Sequence, residues 1–320
     1  MTARYLLWRL AQVAPAVVGI ALIVFVVIHT APGDPIIAIA GEHGDAAHYA
    51  RQRAKFGLDR PLPERLVAYL ARLAQGDLGF SYVHGRPVLG VIAERLPATL
   101  LLMSTALALS SAGGVLLGVL AARRAGGGTD LGLRAVALLG QATPPFWLAQ
   151  VAALGLAVGT GLFPVQGLSS ARHGFTGWRY ALDVVHHLVL PALVLTAGEL
   201  ALTTRLVRGG VVEALASDYV RTARAKGLPD PAVVRHALGN ALLPVVTIIG
   251  GRLGMLCTGA VLVEAVFAWP GVGQLLLSSI QTRDAPVLLG LFMLVSLAVI
   301  LGNVVTDLAY AWLDPRVRYE

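Results

Sequence analysis

The chain has 320 residues, of which 56% are hydrophobic and 13% are charged, and its mean hydropathy is +0.72. Soluble domains carry about 25% charged residues, so this composition excludes an ordinary soluble enzyme and indicates a membrane protein. The single cysteine, Cys257, excludes an internal disulfide framework and a multi-cysteine metal site. The net charge of +7 is compatible with nucleic-acid binding or with basic cytoplasmic loops, and the positions of the basic residues decide between them.

Six apolar stretches reach the roughly 20 residues that a helix needs to cross a bilayer core about 30 Å thick. They predict spans near 9–30, 98–121, 134–159, 188–207, 242–265 and 286–311. The first span follows two arginines, as a signal peptide does, but its apolar run from Leu10 to Ile28 is too long and no small-residue cleavage site follows it. We therefore expect this segment to remain as a membrane anchor.

Six spans place both termini on one side of the membrane. Basic residues concentrate near the termini and after the second and fourth spans, for example Arg123, Arg124, Arg208 and Arg224. The positive-inside rule therefore predicts cytoplasmic termini.

The segment from 31 to 97 is too polar to cross the membrane and too long for a turn. It contains a helical pattern in RLVAYLARLA and turn signals at PGDP, GLDRPLP and GDLGF. We expect it to form a small cap on the outer face, with side chains such as Tyr69, Leu73 and Phe80 available for packing. A flexible loop is the alternative.

A basic stretch, YVRTARAKGLPDPAVVRHALGNALLP, lies at 219–244, between the fourth and fifth apolar stretches. Ser217 favours a helix start and Gly227 favours a left-handed helix end, so DYVRTARAK predicts a short helix. Pro229 and Pro231 prevent its continuation, and a second helix is predicted from near Ala232. The pattern therefore indicates helix, tight turn and helix on the cytoplasmic face.

Such a short helix is marginal in water, so another surface must pack on it. Tyr219, Ala223 and Lys226 share one face, and the small Ala225 and Gly227 allow close approach. An interfacial membrane helix would need a broad Leu, Phe or Trp face, which is lacking. A DNA-binding helix-turn-helix would need a soluble core behind it, so we expect no nucleic-acid partner. A docking element fits the pattern best.

The pieces YVRTARAKGL and HALGNALLP resemble the cytoplasmic EAA loop of bacterial ABC-importer permeases, in the form found in the dipeptide, oligopeptide and nickel permease family. The general consensus starts with Glu-Ala-Ala, whereas this chain has TARA at 222–225, as in the peptide and nickel branch. Further pieces resemble that family along nearly the whole chain: PGDP, GLDRPL, GDLGFSY, RPVLGVIAERLPATLLL, PPFWLA, FAWPGVGQLLLSSIQTRDAPV and LDPRVR.

The resemblance implies an all-α polytopic protein with six transmembrane helices, the type I ABC-importer permease fold, and an external segment after the first helix. Residues 1–97 would hold the first helix and the external cap segment. Residues 98–311 would form a five-helix permease core with a coupling loop at about 209–243, and 312–320 a cytoplasmic tail. The location implied is the bacterial cytoplasmic (inner) membrane.

The function that the resemblance implies is that of the permease subunit of an ATP-driven importer, forming half of the translocation path for di- or oligopeptides. The same role in a nickel or metal-chelate importer is the alternative within this class. The partners implied are a second homologous permease, two ATPase subunits, an extracytoplasmic solute-binding protein and membrane lipid.

An ATP-independent secondary transporter or channel is the alternative from another class. It would need an ionisable relay near mid-membrane and repeated halves with interrupted helices, and the sequence shows neither.

This chain carries no phosphate-binding loop, because AGGGTD at 125–130 lacks the required lysine, and we interpret that segment as a flexible inside loop. We therefore expect no enzyme activity and no catalytic, cofactor-binding or metal-binding residue here. The resemblance assigns ATP and Mg²⁺ to the partner subunits.

The candidate site residues form three groups. The residues that the resemblance assigns to ATPase coupling are Tyr219, Arg221, Ala223, Arg224, Ala225, Lys226 and Gly227. Charges within spans are costly, and Glu199 and Arg252 are predicted to pair across the bundle or to line the path. The third group is predicted to tether the outer loop or to contact the solute-binding protein at the outer face: Glu264, Trp269, Pro270 and Gly271.

Overall fold

The computed structural model describes residues 3–30, 45–55, 57–170, 174–242, 245, 251–252, 256 and 260–313. In these ranges the regular secondary structure is helical, as predicted, apart from one antiparallel bridge between Phe80 and Pro87. The helices are α1 (Ala3–Thr30), α2 (Ala46–Lys55), α3 (Leu62–Ala74), α4 (Val88–Arg123), α5 (Gly128–Ala142), α6 (Pro145–Ala152, continued by a π-helix at Ala153–Val158), α7 (Gly177–Leu215), α8 (Asp218–Ala225), α9 (Asp230–Ala241), α10 (Val261–Val266), α11 (Val272–Gln281) and α12 (Ala285–Leu313).

Three of the described helices are long and apolar enough to cross a membrane: α4, α7 and, within α12, Ala285–Val304. Shorter apolar stretches are Pro15–Thr30 in α1 and Pro145–Val158. At 1.5 Å per residue, α4 and α7 are about 54 and 58 Å long, and both begin before their predicted spans. The predicted fifth span, 242–265, lies mostly outside the described residues.

The predicted third span, 134–159, is not one helix. The α-helix stops at Ala142, Thr143 and Pro144 have extended ψ angles of 123° and 131°, and α6 starts at Pro145. The cause is local, because proline lacks an N–H donor and disfavours helical angles in the residue before it. The predicted span therefore consists of two helices, α5 and α6, joined by an extended turn.

The longest helix contact joins α4 and α7, which run in the same direction. Glycines on α4 allow it: a Cβ at Gly114 would lie 2.6 Å from Thr203 Cγ2, and one at Gly118 would lie 2.6 Å from Val207 Cβ. Small residues permit this close backbone approach between membrane helices.

The end of the bundle that holds the start of α4, here called the cap end, also holds the C-terminal part of α1 and the start of α12. Phe25 of α1, Tyr69 of α3 and Leu289 of α12 belong to one buried cluster. The helix predicted in RLVAYLARLA is thus α3, and it packs against α1 and α12.

A tight loop before α4 is clamped at the cap end by Asp284, which is fully buried. Its Oδ1 accepts the N–H of Tyr82 at 3.1 Å, and its Oδ2 accepts the N–H of Val83 at 3.2 Å and the hydroxyl of Ser81. These bonds attach the loop to the start of α12.

Candidate functional site

The short helix α8 starts where the sequence predicts. Ser217 occupies the N-cap position with φ −75° and ψ 158°. Its hydroxyl, however, donates to the carbonyl of Ala214 at 2.5 Å and does not cap α8. The second helix of the loop, α9, starts slightly earlier than predicted, at Asp230.

The end of α8 is also as predicted, because Gly227 has a left-handed φ of +78°. Its N–H donates to the carbonyl of Arg224 at 2.9 Å, and the N–H of Leu228 donates to the carbonyl of Ala223 at 3.2 Å. These two bonds form a Schellman motif, which needs a left-handed residue at this position.

One face of α8 is buried at the end of the bundle opposite the cap end, here called the coupling end. Val220 is fully buried, and it packs with Ala214 at the end of α7 and with Val233 and Ala237 on α9. Eight residues form a helix of only about 12 Å, too short to be stable alone. Packing against α7 and α9 therefore holds α8 in place.

The opposite side of α8 is exposed, and the predicted coupling residues lie there. Tyr219 has 41% of its surface exposed. Arg221 pairs at 3.3 Å with Asp218, an exposed contact that contributes little to stability. Arg224 and Lys226 pair with no carboxylate in the described part of the chain. The remaining predicted residues are the half-buried Ala223 and the exposed Ala225 and Gly227. The surface is thus small, basic and fixed in orientation.

Asp130 ties α5 to the same part of α7. Arg208 donates from Nε to Oδ1 at 2.5 Å and from Nη2 to Oδ2 at 2.6 Å, and the N–H of Gly126 donates to Oδ2 at 2.9 Å. These bonds, those of Arg208 first, lower the pKa of Asp130 to about 2. The interpretation of AGGGTD as a flexible loop is therefore wrong, because the segment is fixed to α7 through Asp130.

We expect Asp130→Asn to destabilise the chain at neutral pH and to flatten its acid unfolding profile. The pKa of Asp130 falls from 3.8 to about 2 on folding. The ion pair thus stabilises the fold above the unfolded-state pKa, and this contribution is lost as pH falls through the folded-state pKa. Thermal unfolding of the purified chain between about pH 6 and pH 2 measures this. Glu94→Gln, which removes the exposed pair with Arg86, is the control and should change little. A profile for Asp130→Asn parallel to that of the wild type would contradict the expectation.

Glu199 of α7 and Arg252 form an ion pair. The structure therefore brings together the two charges that the sequence placed inside spans. Part of each side chain stays exposed, 44% for Glu199 and 24% for Arg252. Their role as a structural pair or as part of the path stays a prediction.

The third predicted group lies at the cap end. Its residues form a buried hydrogen-bonded cluster around Glu264, here called the buried knot. Glu264 and Trp269 are fully buried, so the predicted contact with a solute-binding protein is wrong for these two side chains. Glu264 Oε1 accepts the Thr99 hydroxyl at 2.9 Å, and Oε2 accepts the N–H of Gln274 at 3.0 Å. Trp269 donates from Nε1 to the carbonyl of Ala98 at 2.9 Å.

Gly271 belongs to the same knot because a Cβ there would collide with the Glu264 carboxylate. The Thr99 hydroxyl also accepts the N–H of Val272 at 2.7 Å, while Pro270 is half-buried. The geometry fits the other predicted role, a tether that fixes the loop before α11 to the start of α4.

We expect Glu264→Ala to destabilise the chain by about 2–5 kcal/mol, because it leaves buried donors unpaired and creates a cavity. Glu213→Ala, at an exposed position of α7, is the control and should stay within about 0.5 kcal/mol of the wild type. Denaturant unfolding in detergent measures both variants. Equal stability of Glu264→Ala and Glu213→Ala would show that the knot does not hold the loop.

The sequence patterns assigned no structural contact to Thr99, Asp130, Arg208 or Asp284. Three of them lie in segments with a recognised pattern: Thr99 in RPVLGVIAERLPATLLL, Asp284 in QTRDAPV and Asp130 in AGGGTD. The signal available for Asp130 was a single acidic residue in a segment that otherwise carries Arg123, Arg124 and Arg134.

Comparison with known proteins identifies the family to which this chain belongs. Residues 114–319 match the family described as binding-protein-dependent transport system inner membrane component, and residues 2–103 match its N-terminal membrane-component family. The chain belongs to this family. It is thus an inner-membrane component of a transport system that works with a binding protein.

Named relatives are similar over their full lengths. The dipeptide transport system permease protein DppB of Escherichia coli is 38% identical, covering 99% of both chains. The di/tripeptide transport system permease protein DppB of Pseudomonas aeruginosa is 38% identical, covering 98% of both. The oligopeptide transport system permease protein AppB of Bacillus subtilis is 37% identical, covering 99% of this chain and 100% of the relative.

Proposed function

We propose that this chain is the permease subunit of an ATP-driven bacterial importer of di- or oligopeptides and forms half of its translocation path. The observation that carries the proposal is similarity of 37–38% over essentially whole chains to permeases named for dipeptides, di/tripeptides and oligopeptides. Those names favour peptides over the nickel alternative.

Six crossings of the membrane, with both termini cytoplasmic, are part of the proposal. Packing places the C-terminal part of α1 and the starts of α4 and α12 at the cap end. The Asp130–Arg208 contact places the start of α5 at the coupling end, and Ala149 of α6 packs with Phe267 near the cap end. The described residues before and after 246–259 also lie at opposite ends of the bundle. Ala241 packs with Val207 towards the coupling end, and Val263 packs with Leu190 towards the cap end.

These positions support alternating crossings by α1, α4, α5 with α6, α7, the segment between α9 and α10, and α12. The domain division proposed is 1–97 for the first helix and external cap, 98–311 for the permease core and 312–320 for a cytoplasmic tail. The interruption between α5 and α6 is a single one among the described crossings, so it gives no support to the paired interruptions of a secondary transporter.

In this proposal, α8 docks on an ATPase subunit. Tyr219, Ala223 and Lys226 form the docking face, and Arg221 and Arg224 meet carboxylates or helix C-termini of the partner. ATP and Mg²⁺ bind to the partner ATPase subunits, and this chain contributes no catalytic group. A second homologous permease, two ATPase subunits and a solute-binding protein complete the importer.

The fold supports a rigid transmission from α8 to the path. Ala214, near the end of α7, packs on Val220 of α8, while Leu188, near the start of α7, packs with Trp269 at the cap end. Ala214 follows Leu188 by 26 positions, which corresponds to about 39 Å of helix. A displacement of α8 would therefore move the far end of α7 as one body.

The proposal is tested by ATP hydrolysis of the reconstituted complex with its own solute-binding protein. We expect a dipeptide or oligopeptide to stimulate hydrolysis, and a nickel salt or nickel chelate to have no effect. Stimulation by nickel alone would assign the chain to the metal alternative. Peptide uptake into liposomes without any ATPase subunit would support the ATP-independent class.

A further inference from the structure

A cavity of about 430 Å³ lies at the cap end, between α1, α3 and the start of α12. Part of its wall is apolar and comes from helix ends, including Phe25, Pro286 and Leu289. The rest comes from His29 of α1, Ala54 of α2, α3 and the loops beside α3. The cavity contains none of the residues that we assign to coupling, to the ion pair or to the buried knot.

Three arginines line this cavity: Arg60, Arg65 and Arg72. Arg65 and Arg72 are two turns apart on α3 and therefore share a face. None of the three pairs with a carboxylate in the described ranges, and Arg72 donates only to the carbonyl of Ala68, at 3.4 Å. Among the described lining residues the acidic one is Asp77, which accepts the N–H of Gly79 at 2.8 Å. The cavity thus has an excess of positive charge.

Arg65 and Tyr69 are groups of this cavity that lack, in the described part of the chain, the partners their burial requires. Arg65 is half-buried, and desolvation lowers its pKa while the nearby Tyr82 acts in the opposite direction. Tyr69 is 5% exposed and lines the cavity, and its hydroxyl has no hydrogen-bond partner in the described structure. Buried donors in folded proteins are nearly always paired. An oxygen-rich anion in the cavity would provide these partners.

We propose that this cavity binds the phosphate group of an anionic phospholipid, in the outer leaflet according to the topology proposed above. Arginine guanidinium groups bind phosphate oxygens through paired, charge-assisted hydrogen bonds. The apolar wall beside the arginines suits an amphiphile better than a free ion. Next to Phe25, α1 leaves Ile23, Val26 and Val27 more than half exposed, and these side chains offer a surface for acyl chains.

The test is native mass spectrometry of the purified full chain after lipid removal, titrated separately with phosphatidylglycerol, phosphatidylcholine and inorganic phosphate. We expect phosphatidylglycerol to bind about tenfold or more tightly than phosphatidylcholine. The double variant Arg65→Gln/Arg72→Gln should lose at least about tenfold in phosphatidylglycerol affinity, because each charge-assisted bond contributes to binding. The control variant Arg51→Gln/Arg179→Gln removes two exposed charges outside the cavity and should retain the affinity.

Tyr69→Phe keeps the ring and removes the unpaired hydroxyl, so it tests the same site without the risk of a large packing change. We expect it to weaken phosphatidylglycerol binding several-fold with unchanged thermal stability. Equal loss in the cavity variant and the control variant would overturn the proposal, since it would show general surface attraction. Binding of inorganic phosphate without phosphatidylglycerol would also overturn it and would assign the arginines to a soluble anion.

Discussion

Gly118→Ala is expected to separate α4 from α7 and to lower the stability of the chain by about 1–3 kcal/mol. Its new Cβ would lie 2.6 Å from Val207 Cβ and 2.9 Å from the backbone oxygen of Thr204. A backbone atom cannot move aside as a flexible side chain can, and overpacking of this kind costs about 1–3 kcal/mol. Alanine's better helix propensity offsets at most about 1 kcal/mol. Thermal unfolding and recovery of the assembled complex measure the effect.

Two other glycines of α4 provide graded controls. A Cβ at Gly113 would meet the end of the flexible Leu200 side chain, at 2.7 Å from Cδ1, so Gly113→Ala should be milder. A Cβ at Gly90 would meet nothing within 4 Å, so Gly90→Ala should be neutral or stabilise the chain by up to about 1 kcal/mol. Equal stability of Gly118→Ala and Gly90→Ala would show that the α4–α7 contact is not tightly packed.

Gly227→Val is expected to abolish most transport without unfolding the membrane helices. Valine would have to adopt φ +78°, and a left-handed β-branched residue is strained by about 1–3 kcal/mol. The Schellman turn would then open and α8 would lose its fixed orientation. The same free energy, if lost from docking, corresponds to roughly 5- to 150-fold weaker binding of the ATPase.

The matched control at this position is Gly227→Asn. A Cβ here meets no atom within 4 Å, so the two variants differ mainly in their tolerance of left-handed angles. Asparagine adopts these angles readily, and Gly227→Asn should keep most of the transport. Co-purification with the ATPase subunits and peptide uptake measure both variants. Full docking and transport by Gly227→Val would rule out α8 as the coupling element.

Local patterns predicted α8 well because its determinants are adjacent in sequence. Ser217 marks its start, and Gly227, Pro229 and Pro231 mark its end, so few residues decide the helix boundaries. The general helical class also followed from hydropathy, since a bilayer selects long apolar helices.

Contacts between distant residues could not be predicted in the same way. Asp130 and Arg208 are 78 positions apart, and Ser81 and Asp284 are 203 positions apart, so no local pattern pairs them. The burial of Glu264 and Trp269 likewise depends on α4, which is distant from them in sequence. The sequence places both near the outer end of the fifth predicted span, and it carries no local sign that α4 covers them.

The break between α5 and α6 shows a limit of hydropathy as a predictor of helix boundaries. Averaging hydropathy over about 19 residues hides Pro144 and Pro145, whose neighbours are apolar on both sides. Backbone chemistry ends the α-helix there although the apolar stretch continues.

The central claim is that the exposed face of α8 docks on the ATPase subunits. Site-specific cross-linking tests it directly, with Cys257→Ala as the background and single cysteines introduced by Ala225→Cys on α8 or Arg51→Cys on α2. In the assembled complex, a short reagent with a thiol-reactive end and a photoreactive end should join position 225 to an ATPase subunit on illumination and leave position 51 unlinked to it. An ATPase cross-link at position 51 and none at position 225 would contradict both the coupling role of α8 and the proposed orientation of the chain.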